Sequence, residues 1–190
     1  TLILTTYLTE VPDWQHPGEH KQPEPSKLNA FRDSVLGTPG VESVVLHDAL
    51  PEDFIQQNRH AGKFQFEKVN YTNYDRLLGI NDVRFFMFLD WLKLHPEHEV
   101  VFTTDLFDVE VLQNPCTLVS QASDRLYVGS EQENQFGCSF LRDRFNQMGG
   151  RYRVWYEDLA SRDPNALLFN AGIIGGERRN FMDFLEAVTR

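Results

Sequence analysis

Apolar positions along this chain fall into short unbroken runs and helical stripes that follow one another. Residues 2–7 read Leu-Ile-Leu-Thr-Thr-Tyr, an apolar and β-branched run without polar alternation, as in a strand buried on both faces. Pro12, Pro17, Pro23 and Pro25, with Gly18 and several charges, then exclude both helix and ladder, so residues 10–26 are predicted to form a long loop. Loops of such length commonly carry function. Ser26 caps a predicted helix over residues 26–36, stopped by Gly37-Thr38-Pro39-Gly40. A strand over 41–47 follows, then a short helix over 51–58. Next comes a strand over 64–69 whose charges alternate, which suits a sheet edge. Asn81 or Asp82 opens the clearest helix, with Val83, Phe86, Leu89 and Leu92 on one side, and His95-Pro96 ends it.

In the second half, residues 100–104 form an apolar strand, 126–129 a short one ending at Ser130-Glu131, and 166–170 the last. Residues 132–162 are polar and aromatic without a clear period. Residues 171–176, Ala-Gly-Ile-Ile-Gly-Gly, are predicted to turn, and 178–188 to form a helix. Strands and helices in alternation predict an α/β fold with a mostly parallel central sheet flanked by helices. In such sheets ligands bind beyond the carboxyl ends of the strands, so the residues that follow each strand are where chemistry is sought.

Length and composition narrow the possibilities. A chain of 190 residues suits one domain with one core, and 41% apolar content with 15 Phe excludes disorder. No apolar run reaches the roughly 18 residues of a membrane helix. Thr1 to Tyr7 lack the basic start and cleavage site of a secretory signal, so a soluble, cytoplasmic chain is the expectation. Eighteen basic against 28 acidic residues leave a net charge of −10, which repels polyphosphate and excludes nucleic acid as a partner. A smaller anionic ligand would need a local device: a helix N-terminus, convergent Arg, or a divalent cation. Cys116 and Cys138 do not form a disulfide framework or a metal-ligand pair and leave the compartment open. His16 and His20 have ligand-like spacing, but in a Pro-rich loop the plain reading is favoured.

Two segments after strands could do chemistry. In Asp105-Leu106-Phe107-Asp108, both carboxylates can converge if the chain turns at the strand end, and two converging carboxylates invite a hard cation such as Mg²⁺ or Mn²⁺. The alternative is an Asx turn at Asp105 with Asp108 capping a helical turn. Phe169-Asn170-Ala171-Gly172-Ile173-Ile174-Gly175-Gly176 offers glycines that permit positive φ and an amide that both donates and accepts, so a sugar could lie against it. Its alternative is a tight strand-to-helix turn under the sheet.

Taken in order, residues 101–109, Gln113-Asn114-Pro115, Tyr127-Val128-Gly129-Ser130-Glu131 and residues 169–176 resemble the motifs of GT-A-fold glycosyltransferases. They are most similar to variants with an Asp-x-x-Asp metal motif, as in collagen-type galactosyl- and glucosyltransferases. The resemblance covers about the second half of the chain, and its specificity lies in the order of the motifs. It implies a GT-A-like fold and a metal-dependent enzyme. That enzyme moves a sugar from a nucleotide-diphosphate sugar, UDP- in preference to GDP-, to an acceptor hydroxyl on a carbohydrate or glycoprotein. It implies Asp105 and Asp108 as ligands of Mn²⁺ or Mg²⁺, Phe107 near the nucleoside, and Thr5, Thr6 and Tyr7 around base and ribose. Arg84 is placed near the diphosphate and Asn170 and Gly172 on the sugar side; Glu131, at the end of its strand, is the candidate acceptor base if the enzyme inverts, whereas a retaining enzyme needs no such base. Such proteins commonly carry a further metal-binding acid or His beyond the last helix. The chain stops inside that helix at Arg190, so residues 1–190 are expected to be a single glycosyltransferase-like domain, truncated or part of a longer chain.

Other readings compete. An aspartyl-phosphate-type phosphatase also places acids after an apolar strand, but two apart and near the first strand. A sugar nucleotidyltransferase would have a Gly-rich loop where this chain has Thr5-Thr6-Tyr7-Leu8. A non-catalytic nucleotide- or carbohydrate-binding module would keep the fold without turnover.

Overall fold

The computed structural model describes residues 1–11, 23–75, 78–134, 142–143, 145–146, 149–165 and 167–190. Six strands form one sheet: β1 Leu2–Tyr7, β2 Glu42–His47, β3 Phe64–Lys68, β4 Val100–Thr104, β5 Leu126–Asn134 and β6 Leu167–Glu177. Their order is β3-β2-β1-β4-β6-β5. The helices are α1 Pro25–Gly37, α2 Glu52–Asn58, α3 Ile80–Leu94, α4 Cys116–Gln121, α5 Gly150–Arg162 and α6 Arg178–Val188. This is the α/β architecture with a mostly parallel central sheet flanked by helices that the periodicity predicts.

Burial accounts for the position of each strand. β1 is buried along its length except at Thr6, and it sits in the centre, paired in parallel with β2 (Thr5 opposite Val45) and with β4 (Leu4 opposite Thr103). A strand without polar alternation can only be placed where both faces are covered. β3, with Gln65, Glu67 and Lys68 at least partly in water, lies at the edge, paired in parallel with β2 alone among the described pairings. One face of the sheet packs Ile3, Tyr7 and Val45 against Leu28, Phe31 and Val35 of α1 and Phe54 of α2. α3 buries Val83, Arg84, Met87, Phe88, Leu89, Trp91 and Leu92, so it is apolar on more than one side. It packs on α6, where the Arg178 guanidinium donates to the Leu92 carbonyl at 2.7 Å and Phe85 meets Phe184 edge-on.

Contacts divide the chain into two compact units, Thr1–Tyr127 with Ile174–Arg190, and Val128–Ile173. Within the second, α5 places a buried Tyr156 in a stack with Phe145, ring centroids 4.6 Å apart, and leaves Val154 and Trp155 exposed.

Three expectations are corrected. The short strand over 126–129 continues to Asn134, and the last strand continues from Leu167 to Glu177, so the turn expected over 171–176 does not form. Gly172, Gly175 and Gly176 do not take the positive φ that a turn there would use. The reason is close packing: a Cβ on Gly175 would collide with the Phe102 ring and the Val101 carbonyl, and one on Gly176 would lie 2.7 Å from the Arg125 carbonyl oxygen. The glycines let neighbouring chain segments approach. α4 and α5 were not foreseen, since a six-residue helix holds too few positions for a stripe and α5 lies in the unassigned segment.

Candidate functional site

Sheet order reverses between β1 and β4, which are neighbours although not consecutive, and a crevice outside strand ends arises at such a point. Below it the two strands are tied together, because the buried Thr5 hydroxyl donates to the Thr104 carbonyl at 2.8 Å. Thr5 therefore spends its side chain inside the sheet, whereas Thr6 faces the other way and is half-buried. Tyr7 ends β1 with its ring in the core, and its phenol oxygen accepts from Glu24 N–H at 2.8 Å. Burial raises its pKa above the ordinary phenol value.

After β4 the chain bends over residues 106–108. Leu106 anchors the bend in the core, and Phe107 stands 41% exposed with its ring edge-to-face on Tyr7, centroids 4.9 Å apart. Tyr7 in turn meets Phe54 at 5.8 Å, so an exposed aromatic ring is backed by two buried ones. Asp105 keeps 43% of its side chain open to water and Asp108 is exposed. The Arg84 guanidinium, brought in by the second turn of α3, forms an ion pair with Asp105 Oδ1. Only 11% of the Arg84 side chain is exposed.

Whether this pair suits a divalent ion follows from its donors. Carboxylate oxygens are the hard ligands that Mg²⁺ and Mn²⁺ take, and such ions are held through one or two carboxylates plus substrate phosphates. Among the described residues no three His, Cys, Asp or Glu gather into a metal-holding group. Two carboxylates would suffice only for an ion whose shell phosphate and water complete, and are too few for a closed structural site.

One contributor went unnoticed in the sequence. Asp48, directly after β2, is buried and accepts from Thr9 N–H at 2.9 Å, Thr9 hydroxyl at 3.0 Å, Glu10 N–H at 2.7 Å and Ala49 N–H at 2.7 Å. It ties the segment leaving β1 to the end of β2, an Asx-type arrangement whose only sequence signal is an Asp after a strand. Next to it, buried His47 accepts from Leu50 N–H at 3.3 Å through Nδ1, and burial lowers its pKa.

The structure therefore brings Thr5, Thr6, Tyr7, Arg84, Asp105, Phe107 and Asp108 to the carboxyl ends of β1 and β4. Glu131, Asn170 and Gly172 belong to the second unit. There the Asn170 amide oxygen accepts from Gly172 N–H at 2.5 Å, closing a local loop within β6. Glu131 falls inside β5 and not at its end, and its side chain lies outside the described residues, as do His16 and His20. No helix of the described chain is long and apolar enough to cross a membrane.

No protein-family model matches the sequence, and no curated protein matches it. Solved structures do match in fold. The galactosyltransferase LgtC, in complex with donor and acceptor sugar analogs, is 13% identical over 96% of this chain, with a TM-score of 0.54. Mouse xyloside xylosyltransferase 1 is 13% identical over 98%, with a TM-score of 0.52. The glycosyltransferase GlyE of Streptococcus pneumoniae TIGR4 is 12% identical over 98%, with a TM-score of 0.51. This chain spans 60% of the LgtC chain, 69% of the xylosyltransferase and 36% of GlyE. At this identity the likeness is one of fold, the GT-A-like sheet flanked by helices.

Proposed function

We propose that this chain belongs to a metal-dependent glycosyltransferase that moves a sugar from a nucleotide-diphosphate sugar, UDP- in preference to GDP-, to an acceptor hydroxyl on a carbohydrate or glycoprotein. The observation that carries the reading is the pair Asp105 and Asp108 in a bend directly after β4, beside the end of β1, where the sheet order reverses. The fold shared with three sugar-transferring proteins supports it.

In this reading each side chain has a physical task. The Phe107 ring, stiffened by Tyr7, offers a face on which a nucleobase stacks, and Thr5 and Thr6 at the end of β1 are given to base and ribose by the motif resemblance. Arg84 is the cation near the diphosphate, which a chain of net charge −10 would otherwise repel. Asp105 and Asp108 hold the divalent ion. When bound, Mn²⁺ or Mg²⁺ supplies Lewis-acid stabilisation to the leaving phosphate oxygen. The roles of Glu131 as acceptor base and of Asn170 and Gly172 on the sugar side rest on the motif resemblance.

Binding of UDP measured with Mn²⁺ and with chelator tests the reading, on the native chain and on Asp105→Ala and Asp108→Ala. Each variant should lose the Mn²⁺-dependent part, at least about tenfold in affinity for one charged ligand, and equal binding under all conditions rejects it. A panel of nucleotide sugars assayed for Mn²⁺-dependent hydrolysis then identifies base and sugar. Binding without turnover would make the chain a non-catalytic module, and phosphate release from simple esters would indicate the phosphatase.

A further inference from the structure

A second cleft lies at the opposite end of β4 from Asp105, where β4 begins and β6 ends. It holds about 590 Å³ between the segment before β4, α4 and the first turn of α6, all within one compact unit. Its cationic side is Arg178 and Arg179, the first two residues of α6. The Arg178 guanidinium is held by donating to the Leu92 carbonyl at 2.7 Å, and its Nε is buried without a hydrogen-bond partner. Arg179 is exposed, and among the described residues neither arginine forms an ion pair, although Glu99 and Glu177 stand on the same walls. No side chain caps α6: the Arg178 N–H donates to the Glu99 carbonyl at 2.8 Å, and the N–H groups that follow have no partner within the helix. His98 adds no free cation, since its ring nitrogens lie beside Glu42 at 3.2 Å and Glu97 at 3.4 Å. On the other side stand Cys116, Ser120 and Ser123, and the Asn180 amide fastens that wall to α6 by donating to the Ser123 carbonyl at 2.6 Å.

We propose that this cleft binds a small phosphate ester that carries hydroxyl groups, the chemistry of a sugar phosphate. The phosphate lies on Arg178 and Arg179, whose planar forks match its oxygens, with the positive end of α6 behind them. The hydroxyl groups meet Ser120 and Ser123 and donate to Glu99 and Glu177, whose ionised carboxylates can only accept. Such a ligand accounts for arginines and glutamates that share a cleft without pairing. A bare anion would meet two carboxylates with nothing to donate to them, and a neutral sugar would leave the guanidinium groups unanswered. The volume is within the range of small-molecule sites. Neither a metal ion nor the nucleotide-sugar reading enters this assignment, so it stands or falls separately from Asp105 and Asp108.

Glucose 6-phosphate is the probe, with inorganic phosphate, glucose and glutamate beside it, titrated by calorimetry into the full chain. Cys116, an exposed free thiol on the cleft wall, reports where the probe sits: its alkylation by iodoacetamide is followed on the Cys116 peptide by mass spectrometry. Glucose 6-phosphate should bind saturably, slow that alkylation, and bind at least about tenfold more tightly than inorganic phosphate, because its hydroxyl groups add hydrogen bonds. Glucose alone should not bind. Arg179→Gln, checked for folding by circular dichroism, should weaken glucose 6-phosphate about fivefold or more, and Arg179→Lys less, since it keeps the charge. Asp105→Ala should leave that binding unchanged, because Asp105 lies past the other end of β4. No saturable binding of glucose 6-phosphate in the millimolar range overturns the proposal, as does binding without protection of Cys116 or undiminished by Arg179→Gln. Loss of binding in Asp105→Ala overturns it by moving the phosphate to the candidate site. Inorganic phosphate binding as tightly as the ester overturns the role of the hydroxyl groups, and glutamate binding more tightly than the ester makes the cleft a site for a zwitterion instead.

Discussion

Asp48 holds three backbone N–H groups that have no ladder partner where the chain leaves β1 and β2: those of Thr9, Glu10 and Ala49. Removing its carboxylate takes the acceptor from these donors at the partly buried junction of β1 and β2, and each unmet donor is costly. Asp48→Ala should therefore lower the unfolding free energy by about 1–3 kcal/mol, read from urea denaturation, while Asp48→Asn, which keeps one acceptor oxygen, should lose less. The residue is legible in the sequence only as an acid after a strand, the same signal that singled out Asp105. What separates the two is burial: Asp48 is enclosed by its donors, whereas Asp105 faces Arg84 on one side and water on the other. That ion pair, with its carboxylate partly in water, contributes no more than about 1 kcal/mol to stability, so its importance lies in the site.

Among the elements, β1, β2, β4 and α3 could be read from local pattern because each carries an uninterrupted run or stripe. β6 could not. Its Gly172, Gly175 and Gly176 look like a turn, yet they lie in a strand in which two of the three have a neighbour too close for a side chain. Gly175→Ala should destabilise the chain by about 1–3 kcal/mol, since its Cβ would meet both a fixed carbonyl and the Phe102 ring. Thermal melting would register this as a clear fall in Tm, and an unchanged Tm would contradict the packing account. At β3 the reverse holds. Glu67 accepts from the Trp91 indole at 2.5 Å, so a charge that marked an edge strand in the sequence also takes part in a tertiary contact.

At the scale of the whole molecule, a net charge of −10 makes any phosphate-bearing ligand depend on local cations, and among the described residues Arg84 stands at the candidate site. Global stability also carries a pH dependence from His47, whose pKa burial depresses below that of a free imidazole, about 6.5. The unfolded chain binds the proton more readily, so this stabilisation is complete above that value and is lost progressively as pH falls toward the depressed folded value. The Tm advantage of the native chain over His47→Gln should accordingly shrink between about pH 7 and pH 5. An advantage that stays constant over this range would show that His47 is not held neutral by burial. By itself the sequence determined the α/β alternation, the central and edge characters of β1 and β3, and the acids after β4, because each is written in neighbouring residues with a short period. Only the tertiary structure decided that Arg84 meets Asp105 across 21 positions, that Asp48 gathers donors from the segment leaving β1, and that Gly175 and Gly176 of β6 serve close packing. Those outcomes depend on which segments the folded path brings within hydrogen-bond or van der Waals reach, and no local pattern encodes that path.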